Sequence, residues 1–134
     1  MEINEGTIQG CAMSTGVYDI GVSPLVKEMH TEAIVQIWQV DDASASGDPI
    51  PLHGWFQKLR ERASNYGYNI KKGKCYLVTK DDKAKQIFKK ELDDGTLILA
   101  DGARYLGAPL GSEGFKRNFF KERMSTINKK ITKL

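Results

Sequence analysis

The chain has 134 residues, of which 40% are hydrophobic and 28% are charged, and its net charge is +3. This composition is typical of one ordinary globular domain, and the two cysteines suit neither a disulfide framework nor a zinc site. Because no apolar run approaches the ~20 residues of a membrane span and no signal peptide is recognisable, we expect an intracellular protein, nuclear or cytoplasmic, without a membrane partner.

The first part of the chain predicts a helix and then a β-hairpin. Apolar spacing over residues 11–30 favours a helix that Pro24 kinks or ends. Residues 34–40 form a β-branched run with apolar side chains on both alternating faces, which predicts a central strand covered on both sides. The pair Asp41-Asp42 then falls in a tight turn, and residues 43–46 form a short return strand.

Helical spacing resumes after the hairpin. Asp48 followed by Pro49 predicts the start of a helix, because aspartate caps well and proline suits the first helical position. An apolar stripe from residue 52 to residue 66 predicts that this helix packs in the core, until Gly67 ends it.

The second half of the chain continues the mixture of strands and helices. Residues 74–79 predict a strand and residues 80–92 a helix. The dipeptide Asp101-Gly102 predicts a hairpin turn between strands at 96–100 and 103–106, followed by a loop over 107–111. The element order predicts an α+β fold in which an antiparallel-rich sheet is backed by helices and followed by a C-terminal helix.

The last helix, from Phe115 onward, carries an excess of positive charge. Only Glu113 and Glu122 oppose its basic side chains, which are Lys116, Arg117, Lys121, Arg123, Lys129, Lys130 and Lys133. Such a helix attracts a phosphate backbone through counterion release, although a solvated helix face would have the same composition. Its apolar stripe also hints at a partner.

Asp41-Asp42 differs from the other acidic pairs of the chain. Asp81-Asp82 opens a helical pattern, where acids complement the helix dipole, and Asp93-Asp94 precedes Gly95 in a turn. Two carboxylates at the end of a buried strand are costly to desolvate unless a positive charge compensates them. The sequence therefore predicts a divalent-cation site at Asp41 and Asp42.

Five segments of the chain occur in an order that resembles one enzyme family. They are Thr7-Ile8-Gln9-Gly10, residues 18–25, Val40-Asp41-Asp42, residues 67–74 and residues 105–111. Together they resemble the palm of reverse transcriptases, the RNA-directed DNA polymerases of retroelements. The resemblance implies a palm-like fold with a ferredoxin-like or RNA-recognition-like layer over residues 1–111, and a basic helix at the start of a thumb over residues 112–134.

The resemblance also implies roles for individual residues. Asp41 would be the main ligand of Mg²⁺ or Mn²⁺, Asp42 a secondary one, and Lys74 would offset phosphate charge. Three residues would line the nucleotide and template side: Thr7, Gln9 and Gly10. The implied partners are an RNA template, a DNA primer and a deoxynucleoside triphosphate, with nucleotidyl transfer onto the primer 3′-hydroxyl as the reaction.

The chain departs from the family pattern in three ways. Cys11-Ala12 follows Gly10 where the family commonly has an acidic or small residue and then proline. Gln39 stands where family members usually have an aromatic residue. The family's further metal-binding aspartate and its basic fingers residues precede the first of these motifs, so we expect this fragment to lack polymerase activity without the missing fingers and thumb portions. Two alternatives remain open: a non-enzymatic nucleic-acid-binding or interaction module, and a decayed retroelement fragment.

Overall fold

The computed structural model describes residues 13–132. The chain divides between Ile70 and Lys71 into two compact units, and both units contain helices and strands. This mixture confirms the predicted α+β class. The palm-like identity of the fold and the proposed boundary at residue 111 stay predictions. Between residues 13 and 132, no helix is both long enough and apolar enough to cross a membrane.

Unit 1 contains a β-hairpin with one helix before it and one helix after it in the chain. The elements are α1 (Ser14–Met29), β1 (Ile34–Gln39), β2 (Asp42–Gly47), α2 (Pro49–Arg62) and a 3-10 turn (Ala63–Tyr66). As predicted, Asp48 is the residue before α2 and Pro49 is its first residue. Gly67 follows the 3-10 turn with φ 72°, a left-handed conformation that favours glycine and ends the helical segment.

Helix α1 runs through Pro24 and ends five residues later at Met29. Proline removes one backbone hydrogen bond, and the packing of the second half of the helix outweighs that loss. Val22, Leu25 and Met29 are buried, whereas Val17 and Ile20 are exposed. The predicted apolar stripe therefore enters the core only in its C-terminal half.

The hairpin of β1 and β2 is covered on one face only. β1 pairs antiparallel with β2, and the two strands form a sheet of their own. Ile34 is buried, while Val35 and Ile37 on the other face are 69% and 51% exposed. The prediction of a central strand covered on both sides is wrong: in the described chain β1 has β2 as its one neighbouring strand, and the face that carries Val35 and Ile37 is open.

Unit 2 contains four strands and three helices. They are β3 (Cys75–Val78), α3 (Asp82–Ile87), α4 (Lys89–Asp93), β4 (Leu97–Ala100), β5 (Gly102–Tyr105), β6 (Ala108–Gly111) and α5 (Glu113–Ile131). The single helix predicted over residues 80–92 is two short helices that meet at Phe88. Phe88 is 2% exposed and forms the core together with Leu77, Ala84 and Leu97.

The hairpin of unit 2 forms one turn later than its sequence predicts. β4 pairs in parallel with β3, and β5 pairs antiparallel with β6 around Leu106 and Gly107. Both turn residues have positive φ, 49° and 84°, as a two-residue hairpin turn of type I′ requires. The predicted turn at Asp101-Gly102 is therefore wrong, and the predicted loop over 107–111 contains strand β6.

Gly102 does not form the predicted turn. It lies in β5, where its lack of a side chain leaves room for a neighbouring ring. It pairs directly with Gly111, and the ring of Phe115 lies where a side chain at Gly102 would stand. Ser112 caps α5, because its Oγ accepts a hydrogen bond of 3.1 Å from the backbone N–H of Phe115. The start of α5 is thus fixed on the β5–β6 hairpin, while no described residue of the helix is buried.

Candidate functional site

The predicted carboxylate pair lies at the tip of the β1–β2 hairpin. Val40 and Asp41 form the turn, and Asp42 is the first residue of β2, where it pairs with Gln39. Val40 has φ 52°, a left-handed conformation that is rare for a β-branched residue and stores about 1–3 kcal/mol of strain. Asp41 and Asp42 are both exposed. The hairpin prediction is confirmed, with Asp41 alone of the two acids inside the turn.

Aromatic residues hold the tip of the hairpin in place. The hydroxyl of Tyr68 donates a hydrogen bond of 2.8 Å to the backbone carbonyl of Asp41. The ring of Trp38 meets the edge of Tyr68 at a centroid distance of 5.7 Å and lies 6.3 Å from the ring of Trp55. These contacts tie the turn to α2 and to the segment that follows it. We call Trp38, Trp55 and Tyr68 the aromatic clamp.

A glutamine fixes the inner face of β1 behind the clamp. The side-chain nitrogen of Gln36 donates to the carbonyl of Val26 in α1 at 3.2 Å, and its side-chain oxygen accepts from the indole N–H of Trp55 at 3.0 Å. One amide therefore joins the strand to both helices of unit 1. Sequence reasoning assigned no role to Gln36 or to the Tyr68 hydroxyl.

The carboxylates of Asp41 and Asp42 have no basic partner among the described residues. Among residues 13–132, no lysine, arginine or histidine forms an ion pair with either of them. The other acidic pairs have structural uses: Asp82 pairs with Lys85 at 2.8 Å, Asp81 accepts from the N–H of Lys83, and Asp94 accepts from the N–H of Thr96. Only the hairpin pair presents its oxygens unengaged to solvent within the described chain.

The charge of Asp41 reaches a tyrosine on α1. Burial raises the pKa of Tyr18 above its ordinary value, and the negative charges of Asp41 and then Asp19 raise it further, because a nearby anion disfavours the tyrosinate form. Tyr18 is therefore a reporter of the charge at the hairpin tip.

We expect Asp41→Asn to lower the pKa of Tyr18, since the substitution removes an anion that opposes its ionisation. Asp19→Asn should lower it by a smaller amount, because Asp19 has the weaker influence. Absorbance titration of tyrosinate, with Tyr18→Phe to identify the transition, measures both changes. An unchanged transition in Asp41→Asn would show that the carboxylate does not act on this ring.

The remaining predicted site residues belong to unit 2 or lie outside the described residues. Lys74 is exposed and precedes β3 in unit 2, so its approach to the carboxylates of unit 1 stays a prediction. Thr7, Gln9 and Gly10 lie outside the described residues. Within residues 13–132, no group of three or more histidine, cysteine, aspartate or glutamate side chains could hold a metal ion.

Helix α5 presents the predicted basic side chains on its surface. Lys116 pairs with Glu113 at 2.9 Å, and the guanidinium of Arg123 lies 5.9 Å from the ring centroid of Phe119. Four other predicted residues are exposed, Arg117, Lys121, Lys129 and Lys130, while Lys133 lies outside the described residues. Residues 71–134 contain sixteen basic and eight acidic side chains, whereas residues 1–70 contain four and nine, so the basic character belongs to one unit.

No protein-family model matches the chain, and no curated protein or solved structure shows a significant similarity to it. Three features of the described chain bear on its function: the hairpin carboxylates without a described partner, the aromatic clamp behind them and the basic helix α5.

Proposed function

We propose that this chain is part of an RNA-directed DNA polymerase, in which Asp41 and Asp42 hold a divalent cation for nucleotidyl transfer onto a primer 3′-hydroxyl. The observation that carries the proposal is the pair of exposed carboxylates that no described basic residue neutralises, at a turn held by the aromatic clamp. In the other acidic pairs, Asp81, Asp82 and Asp94 each have a described hydrogen-bond or ion-pair partner.

The donor chemistry fits magnesium or manganese. Mg²⁺ prefers oxygen ligands and keeps several waters, so one or two carboxylates together with substrate phosphates are enough to bind it. A bound ion of this kind would activate the attacking hydroxyl and stabilise the negative charge of the leaving pyrophosphate. Asp41 is the main ligand in this proposal and Asp42 the second, because Asp41 occupies the turn that Tyr68 fixes.

The other assigned residues would act on the substrates. Lys74 would neutralise phosphate charge of the deoxynucleoside triphosphate, and Thr7, Gln9 and Gly10 would contact the nucleotide and the template base. A two-metal reaction needs one more carboxylate than the hairpin supplies, and the described residues offer none beside it. The proposal therefore concerns a portion of a polymerase that works together with other polymerase segments.

Terbium luminescence tests the cation site directly. Tb³⁺ binds oxygen ligands, and it is excited through a nearby tryptophan; the two tryptophans of the chain are Trp38 and Trp55 of the clamp. We expect luminescence that Mg²⁺ or Mn²⁺ displaces, and an affinity that falls by about tenfold or more in Asp41→Asn, equivalent to about 1.4 kcal/mol. Isothermal titration with Mg²⁺ or Mn²⁺ provides a second measurement.

Asp93→Asn is the matched control, because Asp93 also belongs to an exposed acidic pair and loses the same charge. It should leave the terbium signal unchanged. Negligible binding by the unmodified protein, or equal losses in Asp41→Asn and Asp93→Asn, would remove the metal-site proposal.

A non-enzymatic nucleic-acid-binding module is the second candidate, and the concentration of basic residues in unit 2 favours it. RNA binding that weakens with salt and survives Asp41→Asn, but falls when Lys129 and Lys130 are both replaced by alanine, would support this candidate. Terbium binding at the hairpin distinguishes the two functions, since the module does not need a cation there.

A further inference from the structure

Helix α5 carries an apolar stripe that nothing in the described chain covers. Phe120, Met124, Ile127 and Ile131 are between 44% and 61% exposed. They are spaced four, three and four residues apart, and Leu134 continues the spacing in the sequence. Alternation of three and four is the pattern of the a and d positions of a coiled coil. We call these four residues the seam.

The seam is not the face by which α5 joins its own unit. Phe115, whose ring packs over Gly102, lies five residues before Phe120 and so about 140° away around the helix. The docked face and the seam are therefore separate surfaces. Most of the stability of a helix comes from the packing of its apolar face, and this 19-residue helix is attached through its first turns. Burial of the seam against a partner would supply the missing packing energy.

Basic residues border the seam on both sides. At 100° per residue, Arg123 and Lys130 flank one side, and Lys121 flanks the other. Glu122 lies on the opposite face of the helix. A second copy of this helix would therefore bring like charges together across the interface, whereas a helix with acidic flanks would form attractive pairs.

The width of the stripe decides between a helix and a membrane as the partner. A helix that lies on a lipid surface presents a broad apolar face with a large hydrophobic area. The seam is confined to a and d positions, which is the narrower geometry of a helix-to-helix contact. Its flanks carry charge directly beside the apolar residues, as the e and g positions of a coiled coil do.

We propose that the seam of α5 docks an amphipathic helix of another protein, which has apolar residues at a and d and acidic residues on its flanks. The apolar residues of the two helices interlock, and Lys121, Arg123 and Lys130 face the acidic flanks. This interaction is independent of the proposed metal site, because the seam shares no residue with Asp41 and Asp42.

Two designed heptad peptides test the proposal with the full chain. Both have the same apolar a and d residues, and their flanking positions are all glutamate in one and all lysine in the other. We expect the glutamate-flanked peptide to bind, and Ile127→Asp to weaken binding by about tenfold or more, because it places a carboxylate in the apolar contact. Ser125→Asp, which adds the same charge away from the seam, should change binding by no more than about threefold.

A charge reversal provides the second test, in which the expected result is a changed peptide preference that unfolding could not produce. Changing Lys121, Arg123 and Lys130 together to glutamate leaves the seam intact and should transfer the preference to the lysine-flanked peptide. Circular dichroism establishes that each variant keeps its helices. The proposal is overturned if neither peptide binds, if both bind equally well, or if the reversed variant keeps its preference. A different partner is indicated if the glutamate-flanked peptide does not bind and Ile127→Asp instead abolishes self-association, binding to phosphatidylserine vesicles or binding to RNA. Each of these results also overturns the proposal.

Discussion

Replacing Trp38 with alanine is expected to lower the free energy of unfolding by about 3 kcal/mol and to weaken cation binding, although Asp41 and Asp42 remain. The indole ring contacts both Trp55 and Tyr68, and Tyr68 in turn holds the carbonyl of Asp41. Without the ring, the turn loses the packing that fixes Tyr68 beneath it. Urea unfolding followed by circular dichroism measures the first effect, and isothermal titration with Mn²⁺ measures the second.

Tyr76→Ala is the control for this substitution. Tyr76 is also an aromatic residue on a strand, but its side chain is 54% exposed and lies in unit 2. Its removal should lower stability by less than Trp38→Ala does and leave the Mn²⁺ affinity unchanged, because more than half of the Tyr76 side chain is already in water. Equal unfolding midpoints for Trp38→Ala and Tyr76→Ala would show that the aromatic clamp does not support the turn.

Local patterns identify the hairpin and the helix after it because their signals lie within a few residues. The β-branched run before Asp41 predicts a strand, and the helical spacing after Asp48 predicts α2 with its buried Trp55. Burial of both faces of β1 is not a local property. Val35 and Ile37 are as apolar as residues of a central strand, and they are exposed because no described element packs over their face of the hairpin.

The error in unit 2 shows how tertiary packing overrides a strong turn signal. Asp101-Gly102 is a better hairpin dipeptide than Leu106-Gly107, since leucine adopts positive φ at some cost. Gly102 is instead needed where the strand passes close beneath Phe115, and β4 is already paired in parallel with β3. Neither contact can be read from the spacing of neighbouring residues.

The candidate site also has one part that the sequence predicts and one part that depends on tertiary contacts. The position of the carboxylates follows from the sequence, because a strand that ends in two acids places them at its end. The support behind them does not, since Tyr68 reaches the carbonyl of Asp41 from 27 residues away and Tyr18 approaches from α1. A tyrosine directly after the helix-ending Gly67 is the one local signal that could have drawn attention to this contact.

Gly102→Ala is expected to destabilise unit 2 by about 3 kcal/mol. An added Cβ would collide with the ring of Phe115 and stand 2.6 Å from the carbonyl oxygen of Leu110. Neither group can move freely, because Leu110 belongs to β6 and the N–H of Phe115 is held by Ser112. The start of α5 would therefore separate from the hairpin. Thermal unfolding gives the loss of stability, and hydrogen exchange at the first turn of α5 locates it.

Gly114→Ala is the matched control, one residue before Phe115. Its added Cβ would have the Ser112 hydroxyl oxygen at 3.9 Å as its nearest neighbour, and alanine favours the helix by up to about 1 kcal/mol. The two glycine-to-alanine changes should thus shift the unfolding transition in opposite directions. If Gly102→Ala proves as stable as Gly114→Ala, the contact between Phe115 and β5 does not anchor α5. The helix that carries the seam would then have to be held by residues other than its first turn.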